Sequence, residues 1–408
     1  MKLNRAGQNL FLLFLLTVFV PASIKASPFK RIEITKTNNY FTGFNSDSYR
    51  ADAVSEASLN SLRQYVGKRI RLNPKDDPGV IIQALQWVSL QWKQDGVNEP
   101  RKGESALDIL KDVHEKGQRY RCVEYSLVLV DILRSLGYVS RKLSLRSVDV
   151  AYGPGAEGHI AVEVWSNHLQ KWIFIDPQFS IYPTYRGRYL DYYEIYQLKK
   201  QGKFSKIKFN VTQGYQKRQS KFNLQGYQRD YQKFLAHYFG YMATPIVHLG
   251  KNYNLVLELN GKRETMTFQA SPEGNNLFTR NWRDLYFDVN RTMINFQYHH
   301  DGKSDYQALL KQNGIAVRGD KTDKEIEAKL AKLEPLFAAK PDFNVSFLNN
   351  SPWHSYYEYR FSEQGPWLKI KGDSIIWNLK SGRNDLEARS VNRMDIPGPT
   401  TFVHILYR

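Results

Sequence analysis

Between Cys122 and Gly137 the chain reads CVEYSLVLVDILRSLG, apolar on nearly every side of a helix and closed by a glycine. Such a helix has no face to give to water, so the rest of the chain must wrap it. The flanking sequence supplies the wrapping. Upstream, Val80, Ile81, Ala84, Leu85, Val88, Leu90 and Trp92 recur at near-helical spacing before Gly96, and a second helical stretch, Ala106–His114, runs up to Gly117. Downstream come three strand-like runs, Arg141–Arg146, His159–Trp165 and Lys171–Pro177, rich in alternating and β-branched residues. Helices segregated from neighbouring strands predict an α+β core with the apolar helix at its centre.

The 408 residues suggest two or three domains, and 42% hydrophobic with 14% aromatic residues is enough apolar material for real cores. A single cysteine excludes an internal disulfide, four-thiolate zinc sites and iron–sulfur clusters. Lys2 and Arg5 precede the uncharged run Leu10–Val20, which is too short to span a bilayer but of signal-peptide length, and Pro21, Ala22, Ser23 and Ala26 follow. Residues 1–26 are therefore expected to be a removed export signal, the alternative being a retained N-terminal anchor. The predicted location is periplasmic or secreted, with no transmembrane span after signal removal. An exported chain that keeps one unpaired thiol runs an oxidation risk, which favours a chemical use for Cys122.

The remaining chain is expected to divide as follows. Residues 27–75 form a lead-in with a β-like run at Arg31–Thr35 and a helix over Ser55–Val66. Residues 76–215 make the core, and 216–340 a mixed α/β linking region with strands at Tyr253–Leu259 and Glu264–Ala270 and a charged helix at Lys321–Leu336. From Pro341 the short runs Trp367–Lys371, Ser374–Leu379, Leu386–Val391 and Thr401–Tyr407 predict a C-terminal all-β domain, a β-sandwich. A helix is also expected over Asp191–Gln201. The net charge is +18, and Ile195–Arg229 holds nine Lys or Arg and no acid. That stretch is a solvated surface in the plainest reading, but it suits an anionic envelope or extracellular polymer. It carries no nucleic-acid motif, so nucleic acid is not expected as a partner.

Cys122, His159 and Asp176 are the residues with chemistry to offer. A thiol at a helix start feels the positive end of the helix dipole, Arg121 adds charge beside it, and a neighbouring imidazolium favours the thiolate. The segment Ser166-Asn167-His168-Leu169 reads as a hairpin connection. A two-residue Asn167-His168 loop, or a four-residue loop on the same sum, would pair residues whose numbers sum to 335, setting His159 directly across from Asp176 on one sheet face, whereas a three- or five-residue loop would break that pairing. His299-His300-Asp301 is a weak metal pattern, because adjacent strand residues point to opposite faces. Glu163 is expected to be a satisfied structural carboxylate, and His168 a loop residue.

Four separated segments, Cys122-Val-Glu-Tyr, Arg134-Ser-Leu-Gly137, Gly158-His159-Ile-Ala-Val-Glu163 and Trp172-Ile-Phe-Ile-Asp176-Pro177, together resemble the core of the transglutaminase-like superfamily. The likeness covers roughly residues 80–200 and keeps the order Cys, His, Asp. It departs at Arg121 and Val123, where family members often have glycine before the cysteine and a small or aromatic residue after it. The resemblance implies a papain-like fold in which Cys122 is the nucleophile, His159 the general acid/base and Asp176 the orienting carboxylate. It also calls for an oxyanion donor beyond the Cys122 backbone N–H, with Trp87, Trp92 and Gln118 as candidates. No calcium signature of the animal enzymes is visible, so neither metal nor cofactor is expected. The implied activity is thiol-dependent acyl transfer on a protein or peptide substrate, with amide hydrolysis by a peptidase or amidase favoured over cross-linking. The alternative from another class is a non-catalytic envelope or adhesion protein that uses the core as a scaffold.

Overall fold

The computed structural model describes residues 32–40, 56–148, 158–218, 221–248, 250–262, 275–298, 328, 342–351, 353–370 and 372–408. The expected strand at Glu264–Ala270 and the His299-His300-Asp301 triplet lie outside the described residues, as do the export signal and, apart from residue 328, the helix at Lys321–Leu336. The described chain begins with β1 (Ile32–Thr37) and the helices α1 (Glu56–Gly67), α2 (Gly79–Ser89), α3 (Ala106–Lys116) and α4 (Cys122–Ser135). Then come β2 (Ser140–Arg146), β3 (Gly158–Ser166), β4 (Lys171–Ile175), β5 (Ile181–Tyr185), β6 (Arg188–Tyr189), α5 (Tyr192–Lys200) and β7 (Lys208–Val211). The helices α6 (Gln213–Lys217) and α7 (Leu224–Ala236) precede β8 (Tyr241–His248), β9 (Lys251–Glu258), β10 (Asn275–Thr279) and β11 (Thr292–Tyr298). The last strands are β12 (Asp342–Asn349), β13 (His354–Arg360), β14 (Leu368–Ile370), β15 (Ser374–Asn378), β16 (Gly382–Asn392) and β17 (Thr401–Tyr407).

Helix α4 is buried as its sequence requires. Val128, Leu129 and Leu133 have no exposure, and they pack with Ile81, Leu85 and Val88 of α2, Ile109 and Leu110 of α3, and Val162 and Val164 of β3. The helix stops because Gly137 takes φ +87°, and a Cβ there would meet the Asn392 and Met394 side chains at 2.8 Å. Asn392 Nδ2 donates to the Gly137 carbonyl at 2.8 Å, tying the end of α4 to β16. On the far side of the same sheet, Leu143, Leu145, Ala161 and Phe174 enter a second core with Tyr192 and Ile195 of α5 and Tyr231 and Leu235 of α7. The sheet is therefore covered on both faces, which is why β3 reads as a near-continuous apolar run.

Strands β2, β3 and β4 form one end of a six-stranded sheet in the order β10-β9-β8-β2-β3-β4. The β3–β4 register pairs Val162 with Ile175 and Trp165 with Trp172, so paired numbers sum to 337 and Asp176 falls level with Ala161. The expected sum of 335, with His159 directly opposite Asp176, is thus overturned. The connection is a four-residue loop, 167–170, closed by the Ser166–Lys171 pair, with only Gln170 at positive φ (50°). A two-residue turn of the favoured type needs left-handed backbone at both central residues, a cost that Asn167-His168 without glycine does not meet. Asp77 pins the longer loop by accepting from Ser166 Oγ at 2.6 Å and from the His168 N–H at 3.2 Å. The slip is two residues, so face parity survives and His159 and Asp176 remain diagonal neighbours on one face.

The C-terminal part carries two antiparallel sheets, β1-β17-β16-β13-β14 and β11-β12-β15. Ile294, Val345, Phe347 and Trp377 from the smaller sheet share one apolar core with Tyr357, Leu386, Val403 and Ile405 from the larger. Both sheets draw on chain outside 341–408, since β1 pairs with β17 and β11 pairs with β12. No helix among the described residues is long and apolar enough to cross a membrane.

Candidate active site

Cys122 is the first residue of α4 and is half-buried. Its helix start is fixed from three directions. The Arg121 N–H donates to Glu124 Oε2 at 3.1 Å, while the Arg121 guanidinium pairs with Glu99 and lies 3.6 Å from Glu124. Trp92 stacks on Tyr125 at 4.2 Å, and the Tyr125 hydroxyl donates to the Trp92 carbonyl at 2.7 Å. One helical turn beyond the cysteine, Ser126 Oγ donates to the Ile160 carbonyl at 3.0 Å, next to His159. The last bond sets how far the thiol stands along β3.

His159 is 2% exposed and makes a side-chain hydrogen bond with Cys122. Its Nε2 lies 2.7 Å from Asp176 Oδ2, which leaves Nδ1 for the sulfur. Edge contacts from Phe179 at 5.7 Å and Phe234 at 5.1 Å, with Tyr238 at 6.2 Å, hold the ring in plane. Burial pulls the ring's pKa down, but the charge and hydrogen bond of Asp176, helped by Cys122, outweigh it and raise it to about 9. The pairing with Asp176 thus favours the cationic ring.

Asp176 has no exposure and sits where β4 ends, its backbone bridged to Ile181 in both directions. Its Oδ1 accepts from the Gln178 N–H at 3.1 Å, and its Oδ2 accepts from the Tyr231 hydroxyl at 2.9 Å as well as from His159. The three residues singled out from sequence thus come together as one hydrogen-bonded chain. The oxyanion candidates make other contacts. Trp92 Nε1 donates to the Tyr120 carbonyl at 3.2 Å, Gln118 Oε1 accepts from Asn98 at 3.3 Å, and Trp87 packs edge-on against His114 at 6.5 Å.

Sequence reasoning missed Tyr231. It lies on α7, just past the basic stretch 195–229, and the available signal was a stripe of rings: Tyr227, Tyr231, Phe234 and Tyr238 recur at helical spacing. Glu163 was expected to be a satisfied structural carboxylate, and its Oε2 accepts from Arg141 at 2.6 and 3.0 Å while its Oε1 accepts from the Tyr192 N–H and the Tyr286 hydroxyl at 2.8 Å each. Among the described residues no group of three or more His, Cys, Asp and Glu is arranged to hold a metal ion.

No family model and no curated protein matches the chain. Among solved structures, a proposed cysteine protease from Cytophaga hutchinsonii is 13% identical with a TM-score of 0.22, covering 30% of this chain and 37% of that one. Red sea bream transglutaminase is 11% identical with a TM-score of 0.21, over 87% of this chain and 72% of the other. Rad4–Rad23 bound to a 6-4 photoproduct UV lesion is 11% identical with a TM-score of 0.22, over 89% and 74% of the respective chains. Scores this low do not by themselves establish a shared fold, and the site's geometry stands on its own contacts.

Proposed function

We propose that the chain is an exported thiol enzyme of the transglutaminase-like type, hydrolysing peptide or side-chain amide bonds through a thioester on Cys122. The observation that carries the reading is the relay itself: a buried carboxylate at 2.7 Å from His159 Nε2, with the same ring hydrogen-bonded to the half-buried thiol. A positive ring beside the sulfur is what a thiolate nucleophile requires. The sulfur attacks the carbonyl carbon, and the His159 proton passes to the departing nitrogen as the C–N bond breaks. Water then attacks the thioester, gives its proton back to His159, and releases the acid as the C–S bond breaks. The Cys122 backbone N–H at the start of α4 is an oxyanion donor in this reading.

The papain-like core and a C-terminal β-sandwich belong to the same proposal, supported by the helix-plus-hairpin arrangement and by the apolar core that the two C-terminal sheets share. Export rests on the N-terminal sequence alone. An anionic envelope polymer fits the groove of about 460 Å³ between α7 and the segment leading into β7, where Lys206, Lys208 and Arg229 are the charged lining residues.

The test is release of new amino or ammonia groups from a mixed protein and peptide substrate pool, incubated with the purified protein and with its Cys122→Ala variant. Release by the first alone supports the reading. Equal release from both, or none from either together with an unreactive thiol, leaves the non-catalytic scaffold in its place.

A further inference from the structure

We infer that Tyr231 is a positioning residue of this site: its hydroxyl holds the Asp176 carboxylate in the orientation that aims His159 at Cys122. The inference rests on the acyl-transfer reading and adds to it a fourth residue, drawn from a helix outside the segments that carry the family resemblance.

The geometry is specific. Tyr231 is 2% exposed, and its hydroxyl meets Asp176 Oδ2 at 2.9 Å, the same oxygen that His159 Nε2 reaches at 2.7 Å. The Gln178 N–H holds Oδ1 at 3.1 Å, so the carboxylate is gripped at both oxygens and cannot rotate without losing a donor. The tyrosine ring is itself fixed by Phe179 at 5.1 Å, Phe209 at 5.3 Å and Phe234 at 6.1 Å. Helix α7 is bolted down on either side of it. Tyr227 Oη donates to the Phe179 carbonyl at 3.0 Å, and Gln228 and Gln232 donate to the carbonyls of Phe209 and Phe204 at 2.7 Å each. Burial, and then the Asp176 charge, push the Tyr231 hydroxyl well above its ordinary pKa, so it stays a donor at every working pH.

The consequence for the ring has a definite sign. The groups facing the His159–Asp176 pair are Cys122 from α4, Tyr227 and Tyr231 from α7, and the Tyr238 ring just beyond it, with Tyr192 of α5 facing Tyr231. A hydroxyl on Oδ2 is bound more strongly when His159 is neutral, because the carboxylate charge is then uncompensated. Tyr231 therefore favours the neutral ring and keeps the proton transferable to a leaving group. Removing the hydroxyl while keeping the ring raises the pH at which His159 loses its proton, and loosens the carboxylate.

The experiment uses Tyr231→Phe in the full chain, and reads the rate of Cys122 alkylation by iodoacetamide from pH 5 to 10 alongside amide hydrolysis. The expected result is an alkaline transition displaced to higher pH, with kcat/KM down about tenfold, the scale of one hydrogen bond to a charged group. In the Asp176→Asn background, Tyr231→Phe adds nothing further, because it acts through Asp176. An unchanged pH profile with activity within about twofold of the parent, or full additivity with Asp176→Asn, overturns the inference. If Tyr231→Phe does not fold, the comparison moves to 3-fluorotyrosine placed at 231, a stronger donor, which must displace the transition the opposite way. Failure of the parent reading is distinguishable, since it would appear as a wild-type alkylation profile that does not change in His159→Ala.

Discussion

Strand β3 carries two buried ionic pairs four residues apart on one face, and they are built to opposite ends. Glu163 faces Arg141 directly across the β2–β3 ladder. Besides the donors already named on Glu163, Arg141 Nη1 donates to the Leu285 carbonyl at 2.5 Å, and the guanidinium lies over the Trp172 ring at 3.9 Å. Both carboxylate oxygens of that pair are occupied by fixed protein groups. The His159–Asp176 pair is saturated only at the acid. Its outer end is a half-buried thiol, where a reacting group can arrive. A closed network of this kind holds structure, whereas a network closed at one end and open at the other directs a proton.

Mutation separates the two most sharply. Cys122→Ala and His159→Ala are expected to lower amide hydrolysis by about a thousandfold or more, Cys122→Ala with the unfolding midpoint nearly in place and His159→Ala with a loss of stability too, because it strands the buried Asp176 carboxylate. Glu163→Ala is expected to cost about 3–5 kcal/mol of stability, because it strands the Arg141 charge in the interior, and to spare the activity of the molecules that remain folded. Denaturant titration and turnover, measured on the same samples, read both. A Glu163→Ala protein with native stability would remove the structural half of the comparison.

Acidity gives the next largest effect. The His159 ring titrates at an ordinary 6.5 when unfolded and at about 9 when folded, so the folded state binds its proton more tightly. The stability this contributes is complete below about 6.5 and is lost as pH rises towards about 9. Unfolding midpoints across that window should fall for the parent chain, and the part of the fall due to His159 should vanish in His159→Gln.

The smallest effect concerns the link between the thiol helix and the strand. Ser126→Ala removes one buried hydroxyl bond to the Ile160 carbonyl and is expected to cost about 1 kcal/mol in stability. It should lower kcat/KM by several-fold, because Ser126 fixes the thiol's place along β3. Loss of stability without any kinetic change would assign Ser126 to packing alone.

Much of this site was legible because local pattern and chemistry coincide in it. The apolar helix with a cysteine at its head and glycine at its end, and the two strands bearing His159 and Asp176, follow from periodicity and turn residues. The register did not, because loop length depended on Asp77, ninety or so residues away, capturing the turn. Tyr231 was hidden for a related reason: α7 straddles the end of the basic stretch 195–229, and only tertiary packing brings its aromatic stripe against Asp176. The oxyanion candidates were chosen by residue type and place in the sequence, which do not reveal that the Trp92 N–H is engaged by the Tyr120 carbonyl.

Sulfur, ring and acid are proposed to work as one unit, and the rate of Cys122 alkylation by iodoacetamide at pH 5 is the sharpest check on that proposal. The native protein should react at least about tenfold faster than the same chain unfolded in denaturant, and His159→Ala should lose that advantage. A native thiol that reacts no faster than the unfolded one, with or without His159, would contradict it.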